Sequence, residues 1–230
     1  MSEKFSKNQQ EYWDKQHKKG MRPSEIEGAP NELAMNYMKY IKPGGVVLEI
    51  GVASGNDARY FAKENQNKIV GVDISKEAIK NFIDAAIKDG TIGKMTPIIA
   101  SAEEISKILG DKENYDAFYS RSALHLDDEK TSSFLKWLVS HLNKDGVVII
   151  EGKTKEDFKI ERSVEVGKNL YEDIDGHIRR VWSEDNIKSL CYFLNLEIVE
   201  MKRTVETILG KKTQFINFVA KKKDTSNVIL

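Results

Sequence analysis

An α/β fold with a doubly wound, seven-stranded and mostly parallel sheet is predicted for this chain of 230 residues. Three observations lead to this prediction. Apolar strand-like runs alternate with helical runs after residue 45, which is the order that builds a parallel sheet. The first of these runs enters a loop that contains Gly51 and Gly55. The chain closes with two strand-like runs, which predict an antiparallel C-terminal hairpin strand at the sheet edge.

The strands are predicted from short, mostly apolar runs that are bounded by turn residues. They fall at residues 46–50, 68–72, 96–100, 115–120 and 146–151, followed by a hairpin of residues 196–205 and 213–222 joined across Leu209-Gly210-Lys211-Lys212. Asp145-Gly146 predicts a turn into the fifth strand. Helices are expected to begin at Asn56, Ser75 and Ser183, because these side chains accept hydrogen bonds from backbone N–H groups.

The loop after the first strand reads Glu49-x-Gly51-x-Ala53-x-Gly55. Its spacing differs from G-x-G-x-x-G, and no Gly-Lys-Ser/Thr follows to make a P-loop. Glycines and a helix N-terminus still predict a nucleotide-type ligand, because backbone N–H groups face the loop. A carboxylate such as Glu49 can receive an ammonium group, whereas it would repel a diphosphate. The loop therefore disfavours a dinucleotide.

This loop resembles motif I of the class I S-adenosylmethionine-dependent methyltransferases, which is an acidic residue followed by three alternating glycines. Ala53 departs from that pattern by one methyl group. The resemblance implies a Rossmann-like fold and contacts to S-adenosyl-L-methionine, or to the product S-adenosyl-L-homocysteine, from Glu49, Gly51, Val52, Ala53 and Gly55. Replacement of Gly51 by valine is therefore expected to abolish cofactor binding while the chain stays folded.

Asp73 ends the second strand, about twenty residues after the loop. In the family that the loop resembles, an acid at this place takes both hydroxyls of the ribose, and the next residue, here Ile74, packs on the adenine. The alternative is that Asp73 only helps to begin the helix at Ser75. The distance from the loop favours the ribose.

The third strand leads into Ser101, Ala102 and Glu103. The resemblance implies that these residues meet the adenine edge, although Ser101 stands where the family usually has Asp. A hydroxyl accepts that hydrogen bond more weakly than a carboxylate does. Ser101 is equally well explained as the first residue of a capping box with Glu104.

The fourth strand ends in Ser120 and Arg121, which the resemblance places beneath the sulfonium of the cofactor. The following Ala-Leu-His-Leu run, residues 123–126, resembles motif IV of small-molecule methyltransferases. Arg121, His125 and His177 are the candidate catalytic residues, and His17 is a further candidate base because histidine titrates near neutral pH. For His125 the alternative is a hydrogen-bonded structural residue beside the pocket.

The N-terminal run Tyr-Trp-Asp-x-x-His-x-x-Gly, residues 12–20, resembles small-molecule methyltransferases of the tellurite-resistance and thiopurine groups. The resemblance implies a helical lid, residues 1–42, that brings Trp13 to the cofactor. Tyr12 and Trp13 are alternatively the apolar anchors of a docking helix. Residues 43–152 would form the cofactor-binding half, and residues 183–222 the closing helix and hairpin.

Residues 153–182 are expected to be an irregular, polar insertion on the substrate side, because long segments without periodicity are functional loops or disordered stretches. Its end resembles the Gly-His-x-x-Arg-x-(aromatic)-Ser stretch of the same relatives, which makes His177 and Arg179 substrate-side candidates. Both could also be ordinary surface residues that pack a loop. The whole chain is expected to be one domain.

Composition narrows the classes of function. Lysine plus arginine and aspartate plus glutamate both total 36, so the formal charge is zero and nucleic acid is disfavoured as a partner. No run of eighteen apolar residues or signal-peptide core is found, so no membrane association is expected. The single Cys191 excludes an internal disulfide and favours the cytoplasm. Four scattered histidines predict no metal site.

The leading hypothesis is therefore methyl transfer from S-adenosyl-L-methionine to a small molecule by in-line displacement. One alternative keeps the cofactor and changes the acceptor to RNA or protein. Another is a protein of this fold that binds the cofactor or a partner without turnover, because fold alone does not determine function. The acceptor and the oligomeric state are not indicated by the sequence.

Overall fold

A computed structural model of the protein describes residues 3–19, 28–110, 113–208 and 210–223. Gly20 of the N-terminal motif, Leu209 of the predicted turn and the tail from Asp224 lie outside the described residues, as does part of the expected lid. In the described part, each helix is too short or too polar to cross a membrane. No group of metal-ligating side chains is found in that part either.

The helices precede, separate and follow the strands as expected. They are α1 Glu3–Lys18, α2 Glu32–Tyr37, α3 Asn56–Glu64, α4 Lys76–Lys88, α5 Ile105–Leu109, α6 Asp128–Ser140 and α7 Glu184–Phe193. The strands are β1 Val46–Ile50, β2 Lys68–Asp73, β3 Met95–Ile99, β4 Tyr115–Arg121, β5 Leu142–Lys153, β6 Val164–Gly167, β7 Leu170–Glu172, β8 Ile178–Arg180, β9 Leu196–Ile208 and β10 Lys211–Lys222.

The main sheet has seven strands in the order β3-β2-β1-β4-β5-β10-β9. The first five are parallel, while β10 is antiparallel to both β5 and β9. The predicted fold class is therefore confirmed, including the antiparallel hairpin strand. Because strand order reverses between β1 and β4, the carboxyl ends of these strands flank a crevice of the kind in which α/β proteins bind ligands.

Each face of the sheet buries its own core. Leu48, Phe118 and Ile150 point to the face that α6 and α7 cover. Val47 and Tyr119 point to the opposite face, which α2, α3 and α4 cover. Alternation along β1 therefore places Glu49 on the same side as Val47, at the carboxyl end of the strand.

Three local predictions are wrong in detail. Gly55, at φ 73°, is the N-cap of α3, and Asn56 already belongs to the helix. Asp145-Gly146 is not a turn before β5 but lies inside that strand, where the register with β4 shifts. Ser101 does not cap α5, since its N–H and hydroxyl both donate to the Glu104 carboxylate. In contrast, Ser75 and Ser183 cap α4 and α7 as predicted.

The insertion is more ordered than predicted. β6, β7 and β8 form a separate three-stranded antiparallel sheet. Asn169, at φ 62°, occupies the turn between β6 and β7, where asparagine tolerates the left-handed conformation. These strands are only three or four residues long, too short for their alternation to be recognised in the sequence.

Candidate functional site

The glycine loop is held against β2 by its own backbone. The N–H groups of Gly51 and Val52 both donate to the carbonyl of Val72, at 2.8 and 3.0 Å. Gly51 has φ 80°, and a Cβ there would lie 2.1 Å from the Cβ of Ala123. A Cβ on Gly55 would lie 2.1 Å from the ring of Phe82. Both glycines are therefore required by internal packing, so the expectation that Gly51→Val leaves the chain folded is not supported.

Ala53 occupies the centre of the loop at φ 49°, in the left-handed region that favours glycine. Its N–H donates to the Asp73 carboxylate at 3.0 Å, which fixes this conformation. The departure from the motif is therefore more than one added methyl group, because a side chain in this region costs about 1 kcal/mol.

Replacement of Ala53 by glycine is expected to raise the free energy of unfolding by up to about 1 kcal/mol, since the left-handed strain is removed. Ala117→Gly is the matched control, because Ala117 lies in a central strand and is expected to lose stability. Urea denaturation of both variants measures the difference. A loss of stability in Ala53→Gly would contradict this reading of the loop.

The side chain of Glu49 is buried, and its Oε2 atom has no hydrogen-bond donor among the described residues. Across the strands it pairs with Tyr119 on one side and with Gly71 on the other, which has no side chain to offer. Within the described part of the chain, no hydrogen bond reaches its Oε2 atom. Burial, followed by the nearby charges of Asp57 and Asp73, raises the pKa of Glu49 well above its usual value.

Asp73 lies at the end of β2 and holds two segments together. One carboxylate oxygen accepts the N–H of Ala53, and the other accepts the N–H of Ser75 at 2.9 Å. The carbonyl of the half-buried Ile74 accepts a hydrogen bond from Gln10 of α1 at 3.1 Å. Asp73 therefore does help to begin α4, and it does so beside the glycine loop.

Ser101, Ala102 and Glu103 follow β3, at the same edge of the sheet. Ser101 donates to Glu104, so its hydroxyl points back into its own turn. Glu103 forms an ion pair with Lys130 of α6 at 2.7 Å. All three residues are half-buried.

Ser120 and Arg121 end β4 on opposite faces. The hydroxyl of the buried Ser120 donates to the carbonyl of Ile50 at 3.2 Å. Arg121 is shared between two carboxylates, since its Nε lies 2.8 Å from Glu151 and its Nη2 lies 2.8 Å from Glu206. These carboxylates, led by Glu151, raise the pKa of Arg121 despite its burial. Burial raises the pKa of Glu151 to about 7.

Four rings form a cluster where the N-terminal helix, the loop after β4 and the insertion meet. His177 stacks on Tyr12 at a centroid distance of 5.0 Å, and it meets Trp13 edge-on at 4.8 Å and His125 at 5.1 Å. His17 is farther out, 5.9 Å from Trp13. This cluster, which we call the ring cluster, joins the N-terminal helix to the loop after β4 and to the insertion.

His125 is held in its neutral form. Burial, with the charges of Arg179 and Lys153, lowers its pKa to about 3. Its Nδ1 accepts the backbone N–H of Arg180 at 3.3 Å. A histidine with so low a pKa is a weak proton acceptor at neutral pH. The geometry therefore favours a packing or hydrogen-bonding role for His125 over that of a general base.

Helix α1 crosses the crevice from one side to the other. On the α4 side, Asp14 accepts the hydroxyl of Ser75 at 2.7 Å. On the insertion side, the side chain of Gln9 donates to the carbonyl of Gly176 at 2.8 Å. The helix therefore lies across the carboxyl edge of the sheet, with Tyr12 and Trp13 against His177.

The structure thus brings the predicted cofactor residues to one edge, at the carboxyl ends of β1 to β4. The predicted catalytic residues do not lie together. His125 and His177 share the ring cluster, whereas Arg121 is ion-paired with Glu151 and Glu206. Asp57 and Glu151 were not predicted for the site. Glu151 ends an apolar strand in the same way as Glu49 and Asp73, and this signal could have identified it. Asp57 was not distinguishable in the sequence from the acidic residues that are common in the first turn of a helix.

The side chains at the carboxyl edge of the sheet suit a nucleoside that carries a positive charge. A buried carboxylate that lacks a donor is a poor site for a phosphate and a good one for an ammonium group. The glycine loop and the first turn of α3 leave the backbone close to such a ligand. The residues present therefore fit S-adenosyl-L-methionine better than a dinucleotide.

Comparison with known proteins agrees with this geometry. Residues 47–146 match the family described as "Methyltransferase domain". The wheat (Triticum aestivum) phosphoethanolamine N-methyltransferase is 24% identical over 187 residues, which are 74% of this chain and 35% of the wheat protein. The chain therefore spans about a third of the length of that curated relative.

Solved structures share the fold at low sequence identity. The structure reported as "Conversion of a Disulfide Bond into a Thioacetal Group during Echinomycin Biosynthesis" has a TM-score of 0.70 and 18% identity, covering 94% of both chains. TehB from Haemophilus influenzae has a TM-score of 0.64 and 17% identity, covering 84% of this chain and 63% of that one.

A third solved structure is the Burkholderia thailandensis 1,6-didemethyltoxoflavin-N1-methyltransferase with bound 1,6-didemethyltoxoflavin and S-adenosylhomocysteine. It has a TM-score of 0.61 and 16% identity, and the match covers 84% of this chain and 79% of that one. The family match spans the crevice-forming half, and the sheet order is that of the predicted fold. Residues 47–146 therefore resemble a methyltransferase domain, and the chain shares the fold of this solved methyltransferase.

Proposed function

We propose that this chain transfers the sulfonium methyl group of S-adenosyl-L-methionine to a small-molecule acceptor. The observation that carries the proposal is Glu49 beside the glycine loop, whose buried Oε2 atom receives no hydrogen bond from the part of the chain that the structure describes. A positively charged amino group would supply the missing partner. Nothing else in the described part of the chain offers Glu49 such a group.

Each predicted residue has a role in this proposal. Glu49 would hold the amino group, and Asp73 would accept the ribose hydroxyls at the end of β2. Gly51, Val52, Ala53 and Gly55 would line the methionine side. Ile74, together with the turn of Ser101, Ala102 and Glu103, would enclose the adenine. Ser120, at the end of β4, would line the sheet side of the site, and Trp13, on α1, would line the opposite side.

The cofactor supplies an activated methyl group, so the chain's task is chiefly to position the acceptor. Positioning alone can contribute about 7–11 kcal/mol to such a reaction. Arg121, His125 and His177 lie on the acceptor side in this proposal. Because His125 is neutral and weakly basic, it would orient the acceptor through a hydrogen bond rather than remove a proton.

The position of helix α1 favours a small-molecule acceptor in this proposal. Helix α1 is fixed both to α4 and to the insertion, so an acceptor has to fit beneath it. The helix lies between the ring cluster and a folded RNA or protein surface that would approach from that side. Two of the low-identity relatives also indicate a small acceptor, since their names specify phosphoethanolamine and didemethyltoxoflavin. Phosphoethanolamine and didemethyltoxoflavin are both small molecules.

Calorimetry with S-adenosylhomocysteine tests the cofactor. The wild-type chain is expected to bind it, and Asp73→Asn is expected to bind about 30-fold or more weakly, because hydrogen bonds to a charged group contribute about 1.5–3 kcal/mol each. Asp89→Asn is the matched control, since Asp89 pairs with Arg59 and Lys63 away from the crevice. Binding of NAD in place of S-adenosylhomocysteine would refute the proposal.

A screen for S-adenosylhomocysteine release then identifies the acceptor class. Thiols, amines, phenols and carboxylates are compared with a short RNA and a peptide mixture as macromolecular acceptors. Turnover with a small molecule alone is the expected result. Turnover with RNA or peptide alone would contradict the acceptor proposal and leave the cofactor proposal standing.

A further inference from the structure

Asp57 forms a second buried carboxylate beside Glu49. It lies in the first turn of α3, and its oxygens accept the N–H of Asn31 at 2.9 Å and the hydroxyl of Tyr119 at 2.8 Å. The side-chain amide of Asn31 donates to it as well. Because Tyr119 is also the strand partner of Glu49, the two carboxyl groups lie on the same face of the sheet.

The two carboxylates are unequally supported. Hydrogen bonds from Asn31 and Tyr119 stabilise the charged form of Asp57, whereas the Oε2 atom of Glu49 receives none from the described residues. The hydroxyl of Tyr119 cannot serve Glu49, because it is already donated to Asp57. Burial raises the pKa of both carboxyl groups, but only Asp57 has hydrogen bonds that oppose this rise, so Asp57 is the group that ionises first and Glu49 is the one that keeps its proton longer.

The charges that face this pair come from three elements. Asp57 faces it from α3 and Asp73 from β2, and both disfavour a charge on Glu49. Tyr119 and Arg121 face it from β4. Arg121 is the only one of these groups that is a cation, and its guanidinium is committed to Glu151 and Glu206 on the far side.

We propose that Asp57 acts through Glu49: its negative charge keeps the Glu49 carboxyl protonated in the free chain, so that binding of the cofactor's amino group releases this proton to solvent. Asp57 is thus a positioning residue, because it does not itself touch the cofactor. The inference rests on the proposed use of S-adenosyl-L-methionine, and it adds a coupling between cofactor affinity and pH.

The proton balance is simple. The cofactor's amino group enters as an ammonium ion, which is its main form below a pH of about 7.7. The Glu49 carboxyl loses one proton, and the resulting carboxylate pairs with the ammonium. One proton leaves for each cofactor bound. Affinity is therefore expected to rise with pH up to the raised pKa of the Glu49 carboxyl, by up to about tenfold per unit.

Calorimetry over a series of pH values, in buffers of different ionisation enthalpy, counts the protons. At the acidic end of the series the wild-type chain is expected to release up to one proton per S-adenosylhomocysteine bound. The matched probe is 5′-methylthioadenosine, which keeps the nucleoside but lacks the amino acid, and it is expected to release none. Binding of S-adenosylhomocysteine with no proton release would overturn the inference and leave the proposed function intact. Absence of any binding would instead refute the proposed function.

Variants locate the proton. Glu49→Gln is expected to bind 5′-methylthioadenosine normally and to bind S-adenosylhomocysteine without proton release. Asp57→Asn should move the midpoint of the affinity profile to lower pH. Tyr119→Phe removes a hydrogen bond that stabilises the charged form of Asp57, so it should move the midpoint in the same direction by a smaller amount. Asp116→Asn, which alters a carboxylate bound to Val46 at the amino end of β1, is the control.

These outcomes separate the inference from a merely structural role for Asp57. A structural role would change the affinity equally at all pH values. Proton release that persists in Glu49→Gln would remove Glu49 as its source. A midpoint that stays at the wild-type pH in both Asp57→Asn and Tyr119→Phe would overturn the role of Asp57, and either variant suffices if the other does not fold.

Discussion

Replacement of Gly51 by alanine is expected to lower the free energy of unfolding by about 3 kcal/mol or more. Two costs combine there. The added Cβ would lie 2.1 Å from the Cβ of Ala123, so the loop after β4 has to move, and such overpacking costs about 1–3 kcal/mol. The residue also has φ 80°, and a side chain in this region adds about 1–2 kcal/mol. Urea denaturation gives the change directly.

Gly44 separates the two costs. It has φ 71°, but a Cβ there would meet nothing within 4 Å. Gly44→Ala is therefore expected to lose only about 1 kcal/mol, from the backbone alone. The difference between the two variants measures the contact of the glycine loop with Ala123. Equal losses in both variants would show that this contact is unimportant.

Replacement of Arg121 by methionine is expected to cost about 3–5 kcal/mol at pH 8, because it leaves a buried carboxylate without its cation. Glu151 is only 2% exposed and loses its only ion-pair partner among the described residues. The loss should be smaller at pH 5.5. The folded-state pKa of Glu151 is already raised to about 7, so its carboxyl takes up a proton as the pH falls and the unpaired charge disappears.

The sign of this dependence follows from linkage. An acid whose folded pKa lies above its unfolded value binds more protons in the folded chain, so stability falls as the pH rises through that interval. Lys130→Met is the control, since its pair with Glu103 is partly exposed and should contribute about 1 kcal/mol or less. Denaturation at pH 5.5 and pH 8 compares the two variants. A pH-independent loss in Arg121→Met would contradict the assignment.

The strands of the main sheet were predictable because they are buried on both faces. An apolar run such as residues 46–50 or 115–120 then has a single interpretation, and the structure differs there by one residue at most. The small sheet of β6 to β8 was not predictable in the same way. Its short strands alternate with charged residues and obtain their order from contacts with α1 and β5 that lie far away in the sequence.

The candidate site was predictable where a motif has a fixed spacing. Glu49, Asp73 and the glycines come from local sequence, and the structure places them at one edge. Asp57 and Glu151 instead depend on which side chains meet across strands, such as Tyr119 with Asp57 and Arg121 with Glu151. The charge state of His125 likewise depends on Arg179 and Lys153, which are distant in the sequence.

The two-sided attachment of α1 has a kinetic consequence. A hydrogen bond at the edge of the crevice is weak alone, but while Asp14 holds Ser75, Gln9 remains close to Gly176 at a high effective concentration. When one of the two attachments of α1 breaks, it therefore forms again more often than the second attachment breaks. Under the proposed function, cofactor and acceptor would enter beneath this helix, and the rate at which both attachments open together would set an upper limit on turnover.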